Sequence, residues 1–245
     1  MNKIRILRVI SSGSARKSFI KKGSKELVVI CGPESKALEL CSKLNRQKFE
    51  TIMVYGKRGR LIKEFENIGV RVEKIKTISK YNYSETLCLY HMIKVNKIDI
   101  VQTHGLRFDF FGGIAAMLAN VPHIITRHVA ISQHLISNFR KKLYVFFDNI
   151  AIKFATKVVT VSKAVENDLI VNQGIDRSKI VTILNGVDLE RFCKDNSTRT
   201  AMREELGADD KKQIVGMIAQ LSCWKGIPYF LRAIPAILRK CPNTR

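Results

Sequence analysis

Residues 157–188 constrain the fold more than any other stretch. A β-branched run, Val158-Val159-Thr160-Val161, stops at Ser162, whose hydroxyl suits a helix N-cap. From Lys163 to Asn172 one helical face carries Val165, Leu169 and Ile170, while Lys163, Glu166, Asn167 and Asp168 mark the other. A turn around Gly174 leads into a second run, Ile180-Val181-Thr182-Ile183-Leu184, which ends on the tight polar sequence Asn185-Gly186-Val187-Asp188. This is a strand–helix–strand unit, and such units join parallel strands by right-handed crossovers.

The same alternation fills the preceding residues. Residues 51–55, 70–75, 98–103 and 123–126 read as strands, and 61–68, 85–96 and 108–120 as helices. In the helix over 85–96, Leu87, Leu89, Tyr90 and Ile93 are expected to face inward; the helix over 108–120 is rich in small residues (Gly112, Gly113, Ala115, Ala116, Ala119). The pattern predicts an α/β, Rossmann-like parallel sheet covered on both faces. Its first core strand has two candidates, residues 4–11 and the run ending Leu27-Val28-Val29-Ile30-Cys31, with Arg16, Lys17, Lys21, Lys22 and Lys25 between them. Gly32-Pro33-Glu34 reads as a turn into a helix of Ala37, Leu38, Leu40, Cys41 and Leu44.

Residues 140–154 form a predicted helix with Leu143, Phe147, Ile150 and Phe154 at helical spacing, led by Arg140-Lys141-Lys142. Two readings stand: a core-packing stripe, or an interfacial helix with Phe139, Tyr144 and Phe146 near lipid and the basic residues on headgroups. Further on, residues 198–206 read as a short polar helix, 207–212 as a hinge, 214–219 as the strand that opens a second sheet, and 227–240 as its first helix, kinked at Pro235. The expected division is a first domain over 1–190, a linker over 191–212, and the opening of a second domain over 213–245. One strand and one helix cannot make a sheet, because the strand has no neighbour to bond. The second domain is therefore expected to be incomplete.

Charge separates the function classes. The chain carries 43 Lys+Arg against 21 Asp+Glu, a net +22. Fifteen basic and four acidic residues place +11 of it in residues 1–60. Such a field attracts phosphate on nucleotide, lipid or nucleic acid. A nucleic-acid-binding protein is thus one alternative, but the sequence holds no zinc finger, no RNP aromatics and no helix-turn-helix, and Trp224 alone offers little stacking surface. The six cysteines form no CxxC pair and read as reduced thiols in a cytosolic setting. The amino terminus carries Arg5 and Arg8 inside its apolar run and makes a poor signal peptide. No run of 18 apolar residues exists, so membrane contact is expected to be peripheral.

Three motifs occur in order: Val161-Ser162-Lys163; Asn185-Gly186-Val187-Asp188 with Arg191-Phe192; and Gln220-Leu221-Ser222 running into Lys225-Gly226. Together they resemble the family-4 retaining glycosyltransferases of GT-B architecture, over the chain from about Gly32 to its end. The resemblance implies two Rossmann-like domains facing across a cleft, the first holding the acceptor and the second a nucleotide-sugar donor, with no metal or other cofactor. In an open α/β sheet, ligands bind where strands end and helices begin. By resemblance, His128 is the cleft histidine that contacts the transferred sugar or the reaction centre, a task imidazole suits as a hydrogen-bond donor near neutral pH. His104, Arg127, Gly32 and Glu34 are implied cleft residues, although Gly32-Pro33-Glu34 also reads as an ordinary turn. Lys225 matches the family's donor-diphosphate lysine. Gln220 stands where the family commonly has an arginine, which weakens leaving-group stabilisation. Asn185, Gly186 and Asp188 match the inter-domain turn. His123, His128 and His134 lack metal-ligand spacing.

The implied function is transfer of a hexose-type sugar to a cell-envelope glycan or lipid-linked acceptor at the cytoplasmic membrane face, with peripheral attachment to anionic lipid and no specific nucleic acid. The family's paired glutamates of the second domain are not in the chain. It is therefore expected to be inactive by itself, and a binding-only remnant is the remaining alternative.

Overall fold

The computed structural model describes residues 3–10, 32–55, 61–75, 84–130, 138–190, 192–209, 211–219, 221 and 225–245. The chain divides into two compact units, with the boundary between Asn185 and Gly186. The first unit holds a seven-stranded sheet. Its strands are β1 (Ile4–Ile10), β2 (Phe49–Tyr55), β3 (Arg71–Lys74), β4 (Ile100–His104), β5 (His123–Arg127), β6 (Lys157–Thr160) and β7 (Ile180–Thr182). Between them lie α1 (Gly32–Lys43), α2 (Ile62–Asn67), α3 (Ser84–Val95), α4 (Leu106–Ala119), α5 (Asn138–Phe154) and α6 (Lys163–Asn167). All pairings are parallel, in the order β3-β2-β1-β4-β5-β6-β7. The Rossmann-like α/β reading therefore holds.

Strand order reverses between β1 and β4, and their carboxyl ends flank the crevice where open sheets of this kind take ligands. Of the two candidates for the first strand, residues 4–10 form the central one, bonded to β2 and β4. The run ending at Cys31 lies outside the described residues.

Alternating side chains sort into two layers. Leu7 and Val9, with Ile52, Val54 and Val101, meet Leu89, Met92 and Ile93 of α3 and the alanines of α4. Ile10, Met53 and Tyr55 point the other way, onto Ala37 and Cys41 of α1 and Phe65 of α2. Ile125, Val158 and Ile180 pack against Ala151 and Ile152 of α5. The small residues of α4 have a specific task. A Cβ on Gly112 would lie 2.8 Å from Thr103 Cγ2, and one on Gly113 would lie 3.1 Å from His123 Nδ1. Only glycine lets α4 lie this close to β4 and β5.

Several local expectations change in the folded chain. Leu87 is exposed, and Met92 joins Leu89 and Ile93 on the buried stripe of α3. Ser162 does cap α6, accepting from Val165 N at 3.2 Å, but the helix then widens into a π turn over Asp168–Asn172. Glu166 and Asp168, assigned to the polar face, are buried. Glu166 accepts from the Thr182 hydroxyl and pairs with Arg177 at 2.9 Å, and Asp168 accepts from Asn172 Nδ2 at 2.7 Å. On α5 the buried face is Asp148, Ala151 and Ile152, while Phe139, Leu143, Tyr144, Phe146 and Phe147 are exposed. The stripe expected to pack in the core does so only at its carboxyl end, where Ile150 and Phe154 are half-buried.

The second unit contains α7 (Asn196–Glu205) and α8 (Ile227–Lys240). Asp195 caps α7, accepting from Ser197 N at 3.0 Å. Residues 214–219 are not a strand. Pairing there is confined to the bridge between Gln213 and Thr244 and the bond from Val215 N to Arg245 O. An apolar run becomes a strand only where a neighbouring backbone lies alongside it. Neither α7 nor α8 buries a residue. Among the described residues no helix is long and apolar enough to cross a membrane.

Candidate functional site

Three strands bring polar side chains to the carboxyl rim beside the crevice. β4 ends at His104, after which Gly105 (φ 101°) turns the chain into α4. β5 ends at Arg127, and His128 follows. These two turns, 24 residues apart in sequence, place His104 Nδ1 3.0 Å from His128 Nε2. Their rings lie with centroids 5.3 Å apart and planes at 28°. Below them Gln102 Nε2 donates to Thr126 Oγ1 at 2.7 Å.

Arg8 belongs to the same layer. It stands opposite Gln102 in the β1–β4 register, and Ile10 stands opposite His104, so Arg8, Gln102 and His104 share one face of the sheet. The residue is 3% exposed. Among the described residues its Nε and Nη1 have no hydrogen-bond partner, nor has His104 Nε2.

Burial sets the protonation of the pair. It pushes His104 well below the usual histidine range, with His128 and Arg8 adding to the effect. Burial and the neighbouring Arg127 charge lower His128 to about 4. Both rings are neutral near pH 7, so one proton lies between the two facing nitrogens. Such a pair can donate or accept a hydrogen bond at a substrate, but it does not present an imidazolium.

Arg127 is placed differently from the cleft position expected of it. Adjacent strand residues point to opposite faces, and Arg127 lies on the far side of the sheet from His104. There it is buried, with Nη1 3.2 Å from Asp109 Oδ2 and Nη2 donating to Asp148 Oδ1. Thr103 donates to Asp109 Oδ1 at 2.6 Å. With its only proton so used, the Thr103 hydroxyl accepts from His123 Nε2 at 2.9 Å. Burial raises Asp148 to about 6, with the Arg127 charge opposing, and raises Asp109 as well. Burial lowers His123 to about 4. Arg127 therefore reaches the rim through its field on His128 rather than by contact.

Gly32-Pro33-Glu34 is the first turn of α1, not a turn ahead of it. A Cβ on Gly32 would meet open space. Glu34 is buried and, after burial itself, is the largest influence raising the Tyr55 phenol. Lys225 lies in the second unit, exposed, just before Gly226 (φ 68°) and α8. Gln220 lies outside the described residues. Asn185 ends the first unit and Gly186 opens the second; Asp188 Oδ1 accepts from Glu190 N at 3.1 Å. Among the described residues no His, Cys, Asp or Glu group could hold a metal ion.

Sequence reasoning did not single out Arg8, Thr103, Asp109 or Asp148. Arg8 left a readable signal: an arginine flanked by Leu7 and Val9 in a central strand must project into a packed layer. Asp109 and Asp148 each sit among apolar helical residues, which marks a buried acid but does not name its partner.

A family model described as Glycosyltransferase Family 4 matches residues 30–191. The chain is 25% identical over 216 residues to the UDP-Gal:alpha-D-GlcNAc-diphosphoundecaprenol alpha-1,3-galactosyltransferase of Escherichia coli, a match covering 86% of this chain and 56% of that protein. It is also 25% identical over 143 residues to the alpha-maltose-1-phosphate synthase of Mycobacterium tuberculosis, covering 55% of this chain and 36% of that protein. Among solved structures, HepE of Anabaena in complex with UDP superposes with a TM-score of 0.76 at 19% identity, over 95% of this chain and 58% of that one. A glycosyltransferase from Rickettsia africae superposes with a TM-score of 0.72 at 23% identity, over 97% and 58%. The chain spans about half the length of the curated relatives it matches, 56% and 49% of the first two.

Proposed function

The chain belongs to glycosyltransferase family 4, and on that premise we propose that it serves the transfer, with retained configuration, of a hexose-type sugar from a nucleotide-sugar to a lipid-linked or cell-envelope glycan acceptor. The observation that carries this reading is the neutral pair His104–His128 at the carboxyl ends of β4 and β5, where an open sheet takes its ligand. His128, the less buried of the two, donates a hydrogen bond to a sugar hydroxyl or to charge developing at the reaction centre. Removing one such donor in an acyl-transfer enzyme costs roughly 10²–10³ in turnover, and the same order is assigned to His128. Glu34 and Gly32 belong to the acceptor side, and Lys225, with Gln220, to the donor diphosphate. Residues 185–188 form the turn that closes an acceptor domain over 1–190, and a linker over 191–212 leads to a donor domain beginning near 213.

The Escherichia coli relative acts from UDP-Gal on an undecaprenyl-diphosphate-linked sugar, and HepE binds UDP. These support a UDP-hexose donor and a lipid-linked acceptor here. The exposed aromatics of α5 and the net +22 charge support peripheral binding to an anionic bilayer. The family match does not favour the nucleic-acid reading.

The test takes the chain joined to a complete family-4 donor domain, since the chain by itself is expected to be inactive, and combines it with UDP-[14C]hexoses and a polyprenyl-diphosphate-linked sugar in anionic vesicles. Labelled lipid of unchanged anomeric configuration, together with co-sedimentation of the protein, is the expected result. Failure both to bind any UDP-hexose and to label any lipid overturns the reading.

A further inference from the structure

We infer that Arg8 and His104 are positioning residues that fix the tautomer of His128, so that His128 presents Nδ1–H, and never Nε2–H, on its open side. The inference rests on the proposed role of His128 as the donor at the reaction centre.

The geometry allows two arrangements of the proton between the rings. In one, His104 Nδ1–H donates to His128 Nε2; His128 then carries its proton on Nδ1, and His104 Nε2 is a bare lone pair. In the other, His128 Nε2–H donates to His104 Nδ1; His104 then carries its one N–H proton on Nε2, and His128 offers only a lone pair outward. The choice is made at His104 Nε2, which is enclosed and has no hydrogen-bond partner among the described residues. A buried N–H without an acceptor is rarer and costlier than an acceptor left with a spare lone pair.

Arg8 strengthens the preference. It occupies the adjacent strand, one step below His104 on the same face, standing opposite Gln102. No carboxylate among the described residues pairs with it, and its Nε–H and Nη1–H are themselves unpartnered. A third N–H dipole beside this cation would be repelled. A nitrogen lone pair near it is attracted by its field, or through a bridging water molecule. The positive field therefore selects the lone pair at His104 Nε2, which makes His104 a donor through Nδ1 and His128 an acceptor at Nε2 and a donor at Nδ1. Burial keeps both rings neutral, as this requires. The neutral histidine side chain in water prefers the opposite tautomer, Nε2–H, so the arrangement is one the fold imposes.

The experiment is long-range 1H–15N correlation NMR of the 15N-histidine-labelled full chain near pH 7, without ligand. His104 and His128 are expected to show the Nδ1–H pattern, and Arg8→Met is expected to shift a measurable share of the population toward Nε2–H. Arg8→Lys, which keeps the cation, should retain most of the wild-type pattern. A wild-type spectrum with His128 protonated on Nε2 overturns the inference outright, whatever the variants do. An Arg8→Met protein that keeps the Nδ1–H pattern overturns the part assigned to Arg8. Where transfer activity is measurable, Arg8→Met should lower kcat by about tenfold and leave the donor KM within twofold. Because tautomers are read in the unliganded chain, their failure and the failure of the transferase reading are separately visible.

Discussion

Thr103 and His104 are neighbours in sequence, as are Arg127 and His128, yet each pair is divided between two environments. Thr103 and Arg127 enter a layer where every charge meets its opposite: Arg127 lies between Asp109 and Asp148, and Thr103 links Asp109 to His123. His104 and His128 enter the other layer, beside Arg8, a buried cation with no described counter-ion. Polarity, burial and lowered histidine pKa values are common to both, so none of these marks a functional site. What separates them is compensation. The Arg127 layer balances its charge from within, although Arg127 Nε, His123 Nδ1, Asp109 Oδ2 and Asp148 Oδ2 have no hydrogen-bond partner among the described residues. The Arg8 layer leaves a charge without a counter-ion among the described residues, close to the rim where a ligand would arrive.

The largest test of this contrast is Arg127→Met. Removing the arginine leaves Asp109 and Asp148 buried without a counter-charge, and a loss of about 3–5 kcal/mol is expected in urea unfolding at pH 7. A loss below about 1 kcal/mol would mean the network is not charge-compensated as described. His128→Ala is the opposite experiment, with unfolding free energy expected within about 1 kcal/mol of the parent. Transfer in the assay above should fall by about 10²-fold, close to 2.7 kcal/mol. Because His128 is already neutral, with its pKa lowered to about 4, the parent's activity should show no histidine titration between pH 5.5 and 8.

Next comes Gly112→Ala. Its added carbon would meet Thr103 Cγ2 at 2.8 Å and wedge α4 away from β4, with an expected cost of roughly 1–3 kcal/mol. Because Thr103 anchors Asp109, coupling with Arg127→Met in a double-mutant cycle would sharpen the contrast further.

The smallest effect is that of Asp148→Asn, and it depends on pH. Asp148 is raised to about 6 in the fold, against about 3.9 unfolded. The folded state therefore binds the extra proton, and ionised Asp148 lowers stability above pH 6, a penalty that vanishes as pH falls toward 4. Measured against the parent, the variant should fare better at pH 8 than near pH 4 by about 1–2 kcal/mol, whatever the constant cost of breaking the pair with Arg127. His123 and His128, both lowered to about 4, have the reverse sign. Their contribution is complete above about pH 6.5 and is lost as pH falls through the window from 6.5 to 4. Acid titrations that fail to separate these two slopes would remove the basis for calling both histidines neutral.

Much of the fold was readable because its signals are local. β-branched runs, helical apolar spacing and Ser162 locate the strands and helices of residues 49–182, and the family resemblance, together with their places at strand ends, points to His104 and His128. The misreadings share one physical origin. Leu87 was placed inward and Glu166 outward because period alone does not say which neighbour a face will meet. Residues 214–219 read as a strand, but a strand exists only when another backbone bonds to it. Arg127 was assigned to the cleft from its position beside His128, and alternation along β5 turned it away.

The sequence by itself determined the alternation of extended and helical segments, the positive charge and the family, since each depends on residues near one another in the chain or on their order. Tertiary structure alone decided that two histidines 24 residues apart would share a proton, that Arg8 would lie beneath them, and that Arg127 would close on two distant aspartates. Those contacts arise from strand order and register, which are fixed when the whole sheet closes its backbone hydrogen bonds.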